Sequence, residues 1–250
     1  MTSNGEVFAK KGQNTRTPYE HQKQAMKCLD IIDREDSFST LVVLPTGGGK
    51  TYTVSLWLLR HAINQNKKIL WLAHRQMLLD QAAESFQKYA YAEVIPNVTS
   101  FHYRIVSGSV NHDRTIDIAS ADNLLIAGKD SLGRNLDCLE KWLDGEDEIY
   151  LVVDEAHHAI AKTYRKIIDY VKSKVPNTKL IGLTATPLRT AQSEQGLLSR
   201  IFTDGVKDGK VFLNDIGFAY QIGLKELIAR QILAKPIFES YFTKELCINN

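Results

Sequence analysis

At 250 residues, with 44% hydrophobic and 24% charged side chains, the chain is long enough for one large α/β domain or two small ones and balanced enough to bury a full core. A net charge of only +2 argues against nucleic-acid binding by bulk electrostatics, so any such site has to be a local surface. The three cysteines (Cys28, Cys138 and Cys247) are scattered without a C-x-x-C, which speaks against a disulfide framework or a zinc site and fits a reducing cytoplasm. No apolar run approaches a membrane span, and the first residues lack the apolar core of a signal peptide.

Residues 1–15 are polar and contain glycine, so they read as a mobile lead-in. A helix is expected next, with Thr17 as its cap, Pro18 in its first turn, and Ala25, Met26, Leu29 and Ile32 on its apolar face. Tyr19 and Gln22 stand three residues apart near its start, so both can project toward one ligand, Tyr19 stacking on a base and Gln22 bonding its edge. Taken alone, the stretch reads better as a plain surface helix; its position shortly before a phosphate loop is what favours a ligand role.

Residues 41–44 form an apolar, β-branched run that suits a strand buried on both faces. Gly47, Gly48 and Gly49 follow, then Lys50, Thr51 and a helical pattern through Val54, Leu56, Leu58, Leu59, Ala62 and Ile63. Strand, glycine loop, Lys-Thr and helix are the context of a phosphate-binding loop. Glycines allow a tight loop whose N–H groups all face one anion, and the helix start adds the positive end of its dipole. Lys50 can reach the β- and γ-phosphates, and the Thr51 hydroxyl can ligate Mg²⁺. Leu44 stands where the strict pattern has its first glycine.

Residues 68–73 read as a second buried strand, delivering His74 and Arg75 to the edge where open α/β sheets bind ligands, before a helix over 76–89. Strands are expected at 103–106 and 116–119; Ser120, Asp122 and Asn123 follow, then helix through Leu125 and again over 136–143. The run 148–153 ends in Asp154 and Glu155: Asp154 suits the Mg²⁺ shell, and Glu155 can orient or deprotonate a water. A metal site at His157 and His158 finds little support, because adjacent histidines diverge and no H-E-x-x-H spacing exists. A helix is expected over 158–173 and a strand over 179–183, with the Thr184 and Thr186 hydroxyls at its end and Pro187 stopping the pairing. Residues 190–215 read as loop and short helix, 217–223 as strand or turn, 224–230 as a short helix and 236–242 as a final strand.

Five stretches coincide in order: Tyr19-Glu20-His21-Gln22, PTGGGKT at 45–51, LAHRQMLLDQ at 72–81, VVDEAHHA at 152–159 and LTATPLR at 183–189. Together they resemble the first RecA-like motor domain of a DEAH-containing superfamily-two helicase, of the branch shared by restriction-enzyme motor subunits and repair helicases. The resemblance covers residues 16–242 and implies a P-loop NTPase fold, doubly wound around a mainly parallel sheet. It implies that Tyr19 and Gln22 recognise adenine, that Thr46, Gly47, Gly48, Gly49, Lys50 and Thr51 hold the phosphates of ATP, and that Thr51 and Asp154 position Mg²⁺. Glu155 would be the catalytic base; Lys50 and Asp154 complete the catalytic set. His157, Thr184 and Thr186 would couple nucleotide state to nucleic-acid grip, and His74, Arg75 and Ser120 would lie along the strand-binding face. Asp122 departs from the family pattern there, since an acid near phosphates is unfavourable.

Such motors close ATP between two RecA-like domains. Residues 243–250 are therefore expected to begin a linker to a second domain, in a longer chain or another one. The wording of the motifs leans to DNA over RNA. The competing expectation is a nucleotide-gated module that grips nucleic acid or a partner with little turnover. A transporter-type ATPase would need a signature loop and a membrane partner, and neither is visible.

Overall fold

The computed structural model describes residues 2–185 and 197–235. The fully buried runs become the strands of one sheet: β2 (Phe38–Val43), β3 (Lys68–Ala73), β6 (Glu148–Asp154) and β7 (Asn177–Thr184). With β1 (Asn4–Phe8), β4 (Ser100–Val106), β5 (Leu124–Gly128) and β10 (Phe218–Gln221), they form an eight-stranded sheet in the order β1-β4-β5-β3-β6-β7-β2-β10. Every neighbouring pair is parallel except β1 with β4. Parallel strands need crossovers, and helices supply them on both faces. Side chains alternate accordingly: Ile69, Trp71 and Ala73 of β3 enter one core, while Leu70 and Leu72 enter the other. The first core is closed by α1 (Glu20–Ile32), α2 (Lys50–His61) and α3 (Gln76–Tyr89) through Leu29, Trp57 and Phe86. The second is closed by α4 (Lys129–Arg134), α5 (Glu140–Leu143) and α6 (Lys162–Lys174) through Leu132, Trp142 and Ile167. In β7 a Cβ on Gly182 would stand 2.6 Å from Leu41 and from Phe202, so glycine is what lets both side chains cross the strand.

Several elements differ from the sequence reading. The segment expected to be a mobile lead-in contains β1, which pairs antiparallel along β4; the Ser3 hydroxyl and the Asn4 amide both donate to Asp113 and tie it down. Helix α1 starts after Tyr19 rather than at Pro18, because Gln22 Oε1 reaches back to accept the Tyr19 backbone N–H at 3.0 Å, so Thr17 is not the cap. The strand expected at 116–119 is a 3-10 turn and loop, and the apolar run 124–128, expected as helix, is β5. The turn holding Ser120 therefore lies at the amino end of β5, on the sheet edge opposite the glycine loop. Asp122 is buried there, accepting from Arg104 Nε at 2.7 Å, while its own carbonyl accepts from the Trp142 indole at 2.7 Å. Helix α6 begins at Lys162, after a 3-10 turn over Ala156–His158, rather than at His158. Within 190–215, β8 (Gly205–Lys207) and β9 (Lys210–Phe212) make an unexpected hairpin. Helix α7 (Leu224–Ala229) is where it was expected. Thr186 and the strand expected at 236–242 lie outside the described residues.

One polar network ties α1 and α2 to the sheet. His61 lies 3.1 Å from Asp30 and 3.4 Å from Asp33, and Asp33 also accepts from Lys179 and the Tyr150 hydroxyl, each at 2.9 Å. Burial opposes the His61 charge, but hydrogen bonds to Asp30 and Asp33 outweigh it and push the pKa up to about 9. A raised folded pKa means a contribution fully present below the unfolded value near 6.5 and lost as pH climbs through about 9. Urea unfolding should therefore show stability falling by roughly 2 kcal/mol over that window. His61→Gln should remove most of that slope; an unchanged slope would place the titration elsewhere.

Candidate nucleotide site and the sheet edge

The glycine loop joins β2 to α2. Gly47 and Gly49 have φ of 82° and 83°, the left-handed region that glycine enters without a Cβ penalty. A Cβ on Gly49 would also stand 2.4 Å from Gln22 Nε2. Gly48 N–H closes the turn on Pro45 O at 2.8 Å, and Gly49 is the N-cap of α2, so the helix starts at Lys50 with its free N–H groups facing the loop.

Parallel register carries the other side chains to the same edge. Leu183 of β7 stands opposite Asp154, and Thr184 stands opposite Val43, so β7 is wedged between the acidic strand end and the loop. Thr184 is fully buried, and its carbonyl accepts from Leu44 N–H at 3.1 Å. Thr46, Gly47, Gly49, Lys50, Thr51, Asp154 and Glu155 line one cleft of about 400 Å³. Asp154 is buried, and its Oδ1 accepts the Glu155 N–H at 2.9 Å. Burial and then the neighbouring Glu155 charge push the Asp154 pKa up to about 6, against the Glu155 N–H and the Lys50 charge. Glu155 sits at φ 53°, a costly conformation for a residue with a Cβ, so the strand end stores strain where the acid pair is presented.

The donor set fits a magnesium nucleotide. Backbone N–H groups and Lys50 suit phosphates; Thr51 and Asp154 offer one hydroxyl and one carboxylate, enough for Mg²⁺, which keeps several waters and takes further ligands from phosphate. Among the described residues no group of three or more His, Cys, Asp or Glu side chains is placed to hold a metal.

Four cleft residues, Arg16, Tyr52, Leu78 and Gln81, were not among the expected site residues. Arg16 lines it, its guanidinium 3.9 Å from the Tyr52 ring centre and 2.6 Å from the Tyr89 hydroxyl, to which it donates. Leu78 and Gln81 enter from α3. Leu78 and Gln81 fall within the stretch 72–81, which carries the family resemblance without assigning them a role, and Arg16 stands three residues before Tyr19. Gln22 is buried rather than open to a ligand: its Oε1 takes the Tyr19 N–H, and its Nε2 donates to Gly48 O at 3.1 Å. Tyr19 is half-exposed.

Further along the edge, His74 and Arg75 follow β3, and Lys129 follows β5. His157 Nδ1 is 3.4 Å from Glu155 Oε2, and ring contacts of 4.1 and 4.3 Å run from His157 to His158 and from His158 to His74. Burial and then the Arg75 charge lower the His74 pKa; burial and then His157 lower that of His158. Both shifts favour the neutral rings, and the positive charge on this edge is that of Arg75 and of Lys129, whose ammonium donates to Asp130 Oδ1 at 2.6 Å. Ser120 is not among these residues.

A glycine loop and an acid pair at the ends of the two strands that flank β7 in a parallel sheet define a RecA-like domain of the superfamily-two helicase type. The family described as "Type III restriction enzyme, res subunit" matches residues 15–189, and the chain belongs to it. It is 31% identical over 181 residues to a putative ATP-dependent helicase, IRC3, of Saccharomyces cerevisiae, covering 67% of this chain and 23% of that protein. It is 26% identical over 165 residues to the ATP-dependent DNA helicase MPH1 of Pyricularia oryzae, covering 65% of this chain and 14% of that protein. The chain therefore spans under a quarter of the length of these relatives. The Hef helicase domain of Pyrococcus furiosus shares the fold, with a TM-score of 0.52 at 22% identity over 73% of this chain and 35% of that one. This is a helicase-type domain. No helix among the described residues is long and apolar enough to cross a membrane.

Proposed function

We propose that this domain binds ATP with Mg²⁺ and hydrolyses it to drive movement along DNA, and that hydrolysis is fast only when a second RecA-like domain closes over the same cleft. The observation that carries the reading is the meeting of Lys50, Thr51, Asp154 and Glu155 in one cleft. Loop N–H groups and Lys50 bind the phosphate oxygens, while Thr51 and Asp154 hold the metal. When bound, the magnesium ion neutralises charge developing on the phosphates. Glu155 accepts the proton of the attacking water. Tyr19 lends an aromatic face to the base. Thr184, buried between the two strand ends, and His157, beside Glu155, are placed to pass the nucleotide state along the edge, with Thr186 beyond Thr184 in the chain. The lean to DNA rests on the motif wording and on the MPH1 relative.

Titration calorimetry of the 250-residue chain with Mg–ATP tests the first half: no binding, or binding indifferent to the phosphates, would sink the reading. Nucleic-acid-stimulated ATPase of a longer chain carrying the second domain tests the rest, and failure of stimulation would favour the nucleotide-gated binding module. The polynucleotide would run over His74, Arg75 and Lys129, which address phosphates and so carry no sequence information. Arg75→Ala in that longer protein should weaken binding alike for all sequences and reduce the salt slope by about one unit, with ATP affinity unchanged. An unchanged slope with lost ATP binding would move Arg75 into the nucleotide site.

A further inference from the structure

We infer that His21 is a positioning residue for phosphate binding, acting with Gln22 to fix the Gly48–Gly49 peptide so that its N–H points into the cleft; the inference rests on the reading that this cleft takes a nucleotide. His21 is fully buried on α1, and its Nε2 lies 2.9 Å from Gly48 O. A carbonyl oxygen can only accept, so Nε2 carries the proton. Gln22 Nε2 donates to the same oxygen at 3.1 Å. Two neighbouring side chains thus draw one loop carbonyl toward α1.

The consequence follows from peptide geometry. No peptide bond among the described residues is cis. In a trans unit the carbonyl of one residue and the N–H of the next point to opposite sides of the chain. Pulling Gly48 O toward α1 therefore turns the Gly49 N–H away from α1. The opposite side is the cleft, which Gly47, Gly49 and Lys50 line. Without the two donors this peptide would be free to flip, since its glycines admit both signs of φ. The flipped form would present an oxygen lone pair to an anion.

Two further features mark His21 as more than filler. Its Nδ1 is buried with no hydrogen-bond partner among the described residues, a cost tolerated where the other nitrogen has a fixed task. Its ring also lies within 15° of parallel to Tyr19, centroids 6.0 Å apart. One residue thus links the exposed ring available to a base with the peptide that faces the phosphates.

The test compares three variants of the 250-residue chain in titration calorimetry with Mg–ADP, which is not consumed. His21→Leu keeps bulk but removes the donor, and should weaken Mg–ADP by roughly tenfold, the scale of one net hydrogen bond. His21→Gln places an amide N–H where Nε2 stood and should restore affinity to within about threefold of wild type. His21→Asn donates from a shorter arm, cannot reach Gly48 O, and should behave like the Leu form. If the Leu form does not fold, the Gln and Asn pair decides alone. Equal affinity in the Gln and Asn forms overturns the inference. So does a loss in all variants that tracks a fall in thermal midpoint without ligand, because that is what a purely structural role would give. A wild-type chain that binds no Mg–ADP overturns the nucleotide reading itself.

Discussion

Lys50→Ala should reduce Mg–ATP affinity by at least about a hundredfold, roughly 2.7 kcal/mol, while leaving the nucleotide-free fold nearly as stable as before. Lys50 is the first residue of α2 and lines the cleft. Its ammonium is the cation within the glycine loop, so truncation leaves the phosphates facing N–H dipoles, the buried Asp154 and the partly exposed Glu155 without that counter-charge. Lys50 also opposes the upward shift of Asp154, so the variant should make the Asp154 carboxylate harder to ionise, and the metal site weakens together with the phosphate site. The fold should tolerate the change, since Lys50 is only partly buried and α2 is anchored by Val54, Leu58 and Leu59. Calorimetry with Mg–ATP and thermal melting without ligand read the two quantities separately. Retained affinity would mean that the loop does not hold phosphates.

The central sheet was legible because its strands are apolar on both faces and end in chemistry-bearing residues. Residues 68–73 and 148–154 combine length, β-branching and an abrupt polar stop, and β3 and β6 follow those limits closely. The run at 124–128 has the same apolar character, but five residues are too few for periodicity to separate strand from helix. Only neighbours decide: β5 is drawn into the sheet between β3 and β4. Misplacing that strand carried Ser120 to the wrong edge, because parallel order puts every residue before a strand opposite every residue after one. The β1 strand was hidden for another reason. Glu6 and Phe8 are exposed, so an edge strand pairing by its backbone leaves little hydrophobic signal.

Within the cleft, the residues read from motifs and those read only in three dimensions differ in how they act. Gly47, Lys50, Thr51, Asp154 and Glu155 stand out in the sequence because a phosphate-binding loop and a strand-end acid pair need those residue types at fixed offsets, and the fold brings them to one cleft. Arg16, Leu78 and Gln81 arrive from other elements, and although Leu78 and Gln81 lie in the stretch 72–81, nothing in its wording points their side chains at the loop. Gln22, expected to bond the edge of a base, is buried beside the loop. Both ends of its amide are engaged by the protein, so it braces the loop, and a base would find only its remaining N–H.

Glu155→Gln should stop hydrolysis while leaving Mg–ATP binding within about threefold of wild type. The substitution keeps the shape of the side chain and removes its basicity, so it isolates proton transfer from binding. Glu155 follows β6 and is held at positive φ, its N–H given to Asp154 Oδ1 at 2.9 Å. The backbone that holds this strained turn does not depend on the carboxylate, so the amide should occupy the same place. General-base catalysis of this kind contributes on the order of 10²–10⁴ in rate, and the turnover of a longer protein bearing both domains should fall by that factor, with nucleic acid present. The His157 ring, 3.4 Å from Glu155 Oε2, then faces a neutral partner, so its link to His158 and His74 should loosen as well. A variant that binds Mg–ATP, keeps its nucleic-acid affinity and still turns over at the wild-type rate would remove Glu155 as the base and leave Asp154 as the only acid in the cleft able to serve. Loss of Mg–ATP binding instead would mean that the Glu155 charge helps to hold the metal, a role proposed above for Thr51 and Asp154.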